Sequence, residues 1–166
     1  MWKELVMLGR MLFQGKPSDV ERLELLETEH FPISGYKYMF WCGRMIYRKS
    51  MKERIQEEWV YNRFAIDKNH ETIHLMQAKT CQSWPEYYVK YLMDWLKGFP
   101  FIPPISAAYY TTRYESEAYA NESNLDYCKN YDEKNLSKYV FKNRRNLYKT
   151  IGGTPRSWKN YVKTIK

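Results

Sequence analysis

The sequence is short of the residues that loosen a chain. Its 166 residues include 7 glycines and 7 prolines, too few for a disordered, fibrous or collagen-like protein. Cysteine is scarcer: Cys42, Cys81 and Cys128 are odd in number and widely spaced, with no C-x-x-C pair. That argues against a disulfide framework and points to free thiols in a reducing, cytoplasmic compartment. No apolar run reaches the roughly 18–20 residues that a membrane span requires. The opening MWKELVMLGRMLF is apolar, but charges interrupt it and no small-residue cleavage site follows. It reads as an amphipathic helix and not as a signal peptide. Histidine is limited to His30, His70 and His74. What abounds is aromatic: 16 Tyr, 7 Phe and 6 Trp, in a chain long enough for one domain with a real core.

Acidic residues are also in deficit, leaving a net charge of +8. The basic excess is heaviest over residues 134–166, KNLSKYVFKNRRNLYKTIGGTPRSWKNYVKTIK, where Lys and Arg alternate with Tyr, Phe and Trp. Such a stretch can bind nucleic acid by phosphate neutralisation and base stacking, or rest peripherally on an anionic membrane surface. The plainer reading is a solvated extension anchored by a few aromatics.

Local pattern gives a mainly helical α+β chain. Residues 17–29 read as a short helix begun by Pro17, Ser18 and Asp19. Two short antiparallel strands, about 36–41 and 44–48, turn at Cys42 and Gly43. Residues 51–64 fit a helix or an extended arm. A helix follows from about residue 67, with Asp67 as N-cap, and another over 83–99, with Pro85 in its first turn and Gly98 near its end. Three prolines over 100–110 predict a loop, and residues 112–131 return to helix. The basic tail holds one or two short helices broken at Gly152-Gly153-Thr154-Pro155.

Two of the three histidines lie in NHETIHLMQAK, residues 69–79. On a helix, positions four apart share a face, so His70 and His74 can both address one metal ion. Glu71 is rotated about 100° from His70 and cannot be a third ligand, but it can reach a water beside that ion. H-E-x-x-H therefore supplies two zinc ligands and a general base from one helical turn. The plain alternative is two metal-free surface or core histidines. A catalytic zinc needs a third protein ligand, and no histidine follows His74. His30 lies upstream beside a turn and suits a structural role. The glutamate-rich stretch RYESEAYANE, residues 113–122, is the best source. In one register Glu115 is the ligand, sharing its face with Ala118, Tyr119 and Glu122. In the other Glu117 is the ligand and Asn121 takes the supporting place. Gln77 falls on the face of His70 and His74, where it can buttress a ligand or simply close the helix. Cys42 reads as a buried free thiol; the alternative is a thiolate that blocks the open zinc position. The aromatic helix at 84–99 suits core packing, or else a lip for an apolar substrate or a membrane.

HETIH followed by YESEAYANE resembles a small gluzincin-type zinc metallopeptidase. Membrane-embedded zinc proteases of the CaaX prenyl protease type carry E-x-x-A-D on their second helix, its first glutamate binding zinc. ESEAY, residues 115–119, matches with Glu115 and Ala118, while Tyr119 stands where the aspartate would be. That departure leaves Tyr119 to hydrogen-bond a histidine or the developing oxyanion. The chain is also similar to small uncharacterised bacterial domains with a predicted peptidase site. The resemblance spans roughly residues 31–131 and favours Glu115 over Glu117. It implies a minimal zincin-like catalytic domain over 1–131, followed by a basic extension over 132–166. It further implies a Zn2+ site of His70, His74 and Glu115, with Glu71 as catalytic base acting on a peptide or protein substrate. The alternative from another class is a non-catalytic binding protein, touching nucleic acid or an anionic membrane, with a structural or degenerate metal site.

Overall fold

Cys42 and Gly43 both take positive φ, 47° and 76°, as a two-residue type I′ hairpin loop requires. They join β2 (Met39–Trp41) to β3 (Arg44–Arg48), which pair antiparallel with Trp41 opposite Arg44. Gly43 is needed for a second reason: a Cβ there would come within 2.9 Å of Val20 Cγ1. The computed structural model describes residues 1–33, 36–60, 62–99 and 105–165, with backbone alone for 58–60, 105 and 106.

A third strand, β1 (Glu24–Thr28), pairs in parallel with β3, so β3 is the centre of a mixed sheet. This corrects the helix expected over 17–29, where a single 3₁₀ turn, Pro17–Asp19, precedes the strand. Glu and Leu in ELLET favour helix locally. Pairing with β3, whose Met45 and Ile46 are fully buried, outweighs that weak preference.

The rest is helical: α1 (Trp2–Met11), α2 (Lys52–Val60), α3 (Arg63–Lys79), α4 (Trp84–Leu96), α5 (Ile105–Tyr110), α6 (Arg113–Asn121), α7 (Arg144–Thr150) and α8 (Pro155–Val162). The stretch that suited helix or arm is therefore α2. α3 begins earlier than expected, after Asn62, and Asp67 is not its cap. Asp67 instead lies inside the helix and binds Lys37 at 2.7 Å and Arg63 at 3.4 Å. The loop expected over 100–110 gives way to α5 from Ile105; the proline-rich connector at 100–104 lies outside the described residues. α6 stops at Asn121, and the segment expected to continue it holds a 3₁₀ turn at Tyr127–Asn130. Among the described residues, no helix is long and apolar enough to cross a membrane.

Two apolar clusters position the site. The first joins the hairpin to α3 and α4 through Met45, Leu75, Ala78, Trp84 and Tyr87. The second gathers Ala107, Tyr139, Tyr148, Trp158 and Val162, binding the basic tail to α5 and α6. Trp158 is fully buried, and its indole N–H donates to Ser116 Oγ at 3.0 Å. A reciprocal cap between Thr154 and Ser157 starts α8 one turn earlier. Arg144 is likewise turned inward, donating to the Asp94 main-chain oxygen at 2.7 Å and to its carboxylate at 3.3 Å. Trp158→Ala is expected to cost about 3–5 kcal/mol, the usual range for a buried tryptophan. Urea denaturation measures this, and a loss below about 1 kcal/mol would show that α8 adds little to the core.

Candidate metal centre and cleft

α3 and α6 pack side by side and bring His70, His74 and Glu115 together, all buried. Glu115 sits in the first turn of α6, where Thr112 caps the helix by accepting from the Glu115 N–H at 3.2 Å. Its Oε1 lies 3.2 Å from His74 Nε2, and its Oε2 lies 3.3 Å from His70 Nε2. Ligands at about 2.0–2.1 Å from one tetrahedral ion would stand roughly 3.3 Å apart. The two carboxylate–imidazole spacings are of that size, and one ligand atom of each of the three residues lies within 4.8 Å of the others, close enough for one ion. Oε2 is buried and has no aligned hydrogen-bond donor, as a metal-binding oxygen would be left once its ion is removed.

The far side of each imidazole is held. His70 Nδ1 faces Glu122 Oε2 at 3.2 Å, and a carboxylate only accepts, so this nitrogen carries the proton. His74 Nδ1 faces Gln77 Oε1 at 2.8 Å. The Gln77 amide nitrogen donates to the Tyr114 carbonyl at 3.0 Å and to Glu117 Oε2 at 2.8 Å. Both partners are acceptors, so the amide cannot be reversed, and His74 Nδ1 must donate. Both Nε2 atoms are thereby turned towards Glu115, where each would offer its lone pair to an ion once the Nε2 proton is released.

Glu117 stands on the opposite face of α6 from Glu115. It is fully buried and accepts from Tyr127 at 2.7 Å and Tyr131 at 3.3 Å besides Gln77. It braces Gln77 and does not face the histidine pair. Tyr119 lays its ring against His70, centroids 4.6 Å apart; it is Glu122 that holds His70 Nδ1. Residues that sequence reasoning left without a role therefore complete the site. Glu122 shares the face of Glu115 two turns on, a spacing that could have pointed to it. Tyr91 donates to Glu115 Oε1 at 2.7 Å from α4, a contact no local pattern announces. His30 is remote, paired with Glu4 at 2.9 Å. Cys42 is buried in the hairpin loop, where burial pushes its thiol up to about 12, and it has no place in the cluster.

Charge is balanced within the cluster. Burial alone would depress His70, but Glu115 and Glu122 raise it to about 10. Burial would likewise raise Glu115, yet His74 and His70 hold it well below the usual carboxylate range. Glu71 is raised, burial outweighing the nearby imidazoles. It opens on two spaces. One is a cleft of about 350 Å³ shared with His74 and Glu115 and walled by Phe40, Tyr87, Tyr88 and Tyr109. The other is a smaller recess on the α8 side. α4 thus uses two faces, since Trp84 and Tyr87 are buried while Val89, Leu92 and Met93 meet solvent.

No protein family, curated protein or solved structure matches this chain.

Proposed function

We propose that the chain is a zinc-dependent hydrolase, with peptide amide bonds as its substrate class. In this reading His70, His74 and Glu115 hold Zn2+ and Glu71 is the general base. The observation that carries it is the convergence of two imidazoles and one carboxylate, with one ligand atom of each within 4.8 Å of the others and each Nε2 3.2–3.3 Å from an oxygen of Glu115, beside a cleft that Glu71 also lines. The far sides of both imidazoles are fixed by dedicated acceptors. Zinc in such a site lowers the pKa of water and polarises a carbonyl oxygen. The protein's own groups do the rest. Glu71 takes the proton of the attacking water and delivers it to the leaving nitrogen. Tyr91 and the two imidazoles hold the Glu115 carboxylate in one orientation. The aromatic cleft walls receive an apolar part of the substrate and exclude water, which strengthens charge interactions at the reacting atoms. Peptide amides, among hydrolysable groups, rest on the resemblance to gluzincin-type metallopeptidases.

The binding alternative calls for a continuous basic face on the tail. Two of the tail's ten cations, Arg144 and Lys163, are engaged with Asp94 and Glu122. The test is cleavage of a mixed peptide pool followed by mass spectrometry. Cleavage is expected to stop on chelation and return with zinc; a pool left intact by zinc-supplied protein would defeat the proposal. Gln77→Leu, which removes the acceptor for His74 Nδ1, is expected to weaken zinc affinity roughly 10–100-fold. Competition against a zinc-binding dye measures this, and unchanged affinity would remove Gln77 from the site.

A further inference from the structure

The recess on the α8 side of Glu71 encloses about 230 Å³, and its lining includes three carboxylates, Asp67, Glu71 and Glu122, and three cations, Lys37, Arg63 and Lys159, among tyrosine rings. Lys159 enters it from the basic tail. Its ammonium lies 3.7 Å from the Tyr119 ring centroid and 5.0 Å from that of Tyr110. Tyr119 in turn rests on His70, so α8 delivers a cation to within two side chains of the candidate metal centre. The neighbouring cations are already engaged: Lys37 and Arg63 bind Asp67, and Lys163 binds Glu122 at 3.2 Å.

Lys159 is different. Among the described residues no carboxylate forms an ion pair with it. It is half-buried, and that burial pulls its pKa below the usual lysine value. The two tyrosine rings attract the ammonium through their faces, but a ring face offers none of the oxygen acceptors that three N–H donors seek. Glu122 and Glu115 attract it without pairing with it, so a partly desolvated ammonium is left short of oxygen acceptors at some cost, and a ligand that supplied one would relieve that cost. A flexible ammonium suits a carboxylate as a point charge.

We propose that Lys159 is a specificity residue that receives a carboxylate of the substrate. The site then selects a peptide that presents an apolar or aromatic side chain to the tyrosine-walled cleft and a carboxylate to the recess, with Glu71 between them. This rests on the hydrolase reading, since it names the substrate of the same site. The carboxylate has two sources, a peptide C-terminus or an acidic side chain.

Three blocked dipeptides separate them: N-acetyl-phenylalanyl-alanine as the free acid, the same peptide as its C-terminal amide, and N-acetyl-phenylalanyl-aspartyl amide. Binding is measured by calorimetry to metal-free protein, where no carboxylate can ligate an ion, and to zinc-supplied Glu71→Gln. At least one carboxylate-bearing peptide is expected to bind roughly 10-fold or more tightly than the neutral amide, as charge-assisted hydrogen bonds do. Which one does so identifies the source. The preference is expected to vanish in Lys159→Met and to survive in Lys159→Arg, whose retained binding shows that the fold is intact. Equal binding or no binding by all three peptides, or a preference that persists in Lys159→Met, would overturn the proposal. The readout is affinity alone, so failure of the zinc reading, seen as absent zinc and absent cleavage, is told apart from failure of this one.

Discussion

Glu71→Gln is expected to lower peptide hydrolysis roughly 10²–10⁴-fold, the usual contribution of a positioned general base, with zinc content unchanged. The two effects separate because Glu71 is not part of the His70, His74 and Glu115 cluster. It lies one residue round the helix, lining both the cleft and the recess. Glutamine keeps the size and the hydrogen-bonding reach of the side chain but cannot take a proton. The loss should therefore fall on kcat, with KM for the peptide little changed. Activity within twofold of wild type would assign the base elsewhere. Loss of zinc with the activity would mean that Glu71 acts on the metal and not on the reaction.

His74→Ala is expected to remove bound zinc altogether, and hydrolysis with it. Two ligands of a three-ligand site do not hold a catalytic zinc at ordinary concentrations. The substitution also strands a neighbour: Gln77 Oε1 loses its His74 donor at 2.8 Å, while Glu115 Oε1 keeps Tyr91. Leaving a buried acceptor unsatisfied costs about 1–3 kcal/mol, so the variant should melt below the wild type even without metal. Zinc should raise the melting temperature of the wild type, because it binds only the folded state, and should leave that of His74→Ala unmoved. A variant that keeps a full complement of zinc would remove His74 from the ligand set.

The features legible in the sequence are the ones governed by near neighbours. Cys42-Gly43 announced the hairpin because two positive φ values are needed within two residues. The α3 face carrying His70, His74 and Gln77 followed from helical spacing alone, and it did not depend on where the helix begins. The break before Pro155 was visible in its glycines. What escaped was decided at a distance. β1 is a strand because β3 lies beside it, although its own residues favour helix. The choice between Glu115 and Glu117 turns on which side of α6 faces α3. A two-residue shift points a side chain to the other side of a helix, and packing alone decides which of the two lies beside His70 and His74. Tyr91, Glu122 and Lys159 come to the site from α4, from just beyond α6 and from α8. The basic tail reads as a solvated extension with a few aromatic anchors on the core, and which residues anchor it is not visible in its composition. Trp158, with Val162, is fully buried in the second core, and Lys159 between them reaches the recess.

The measurement that tests the central claim most directly is the zinc content of the purified wild-type protein, by elemental analysis after zinc loading and exhaustive dialysis. The expected result is close to one zinc per chain. Protein that retains no zinc after this treatment would contradict the account, leaving His70, His74 and Glu115 as a buried ion-paired cluster with no ion to hold.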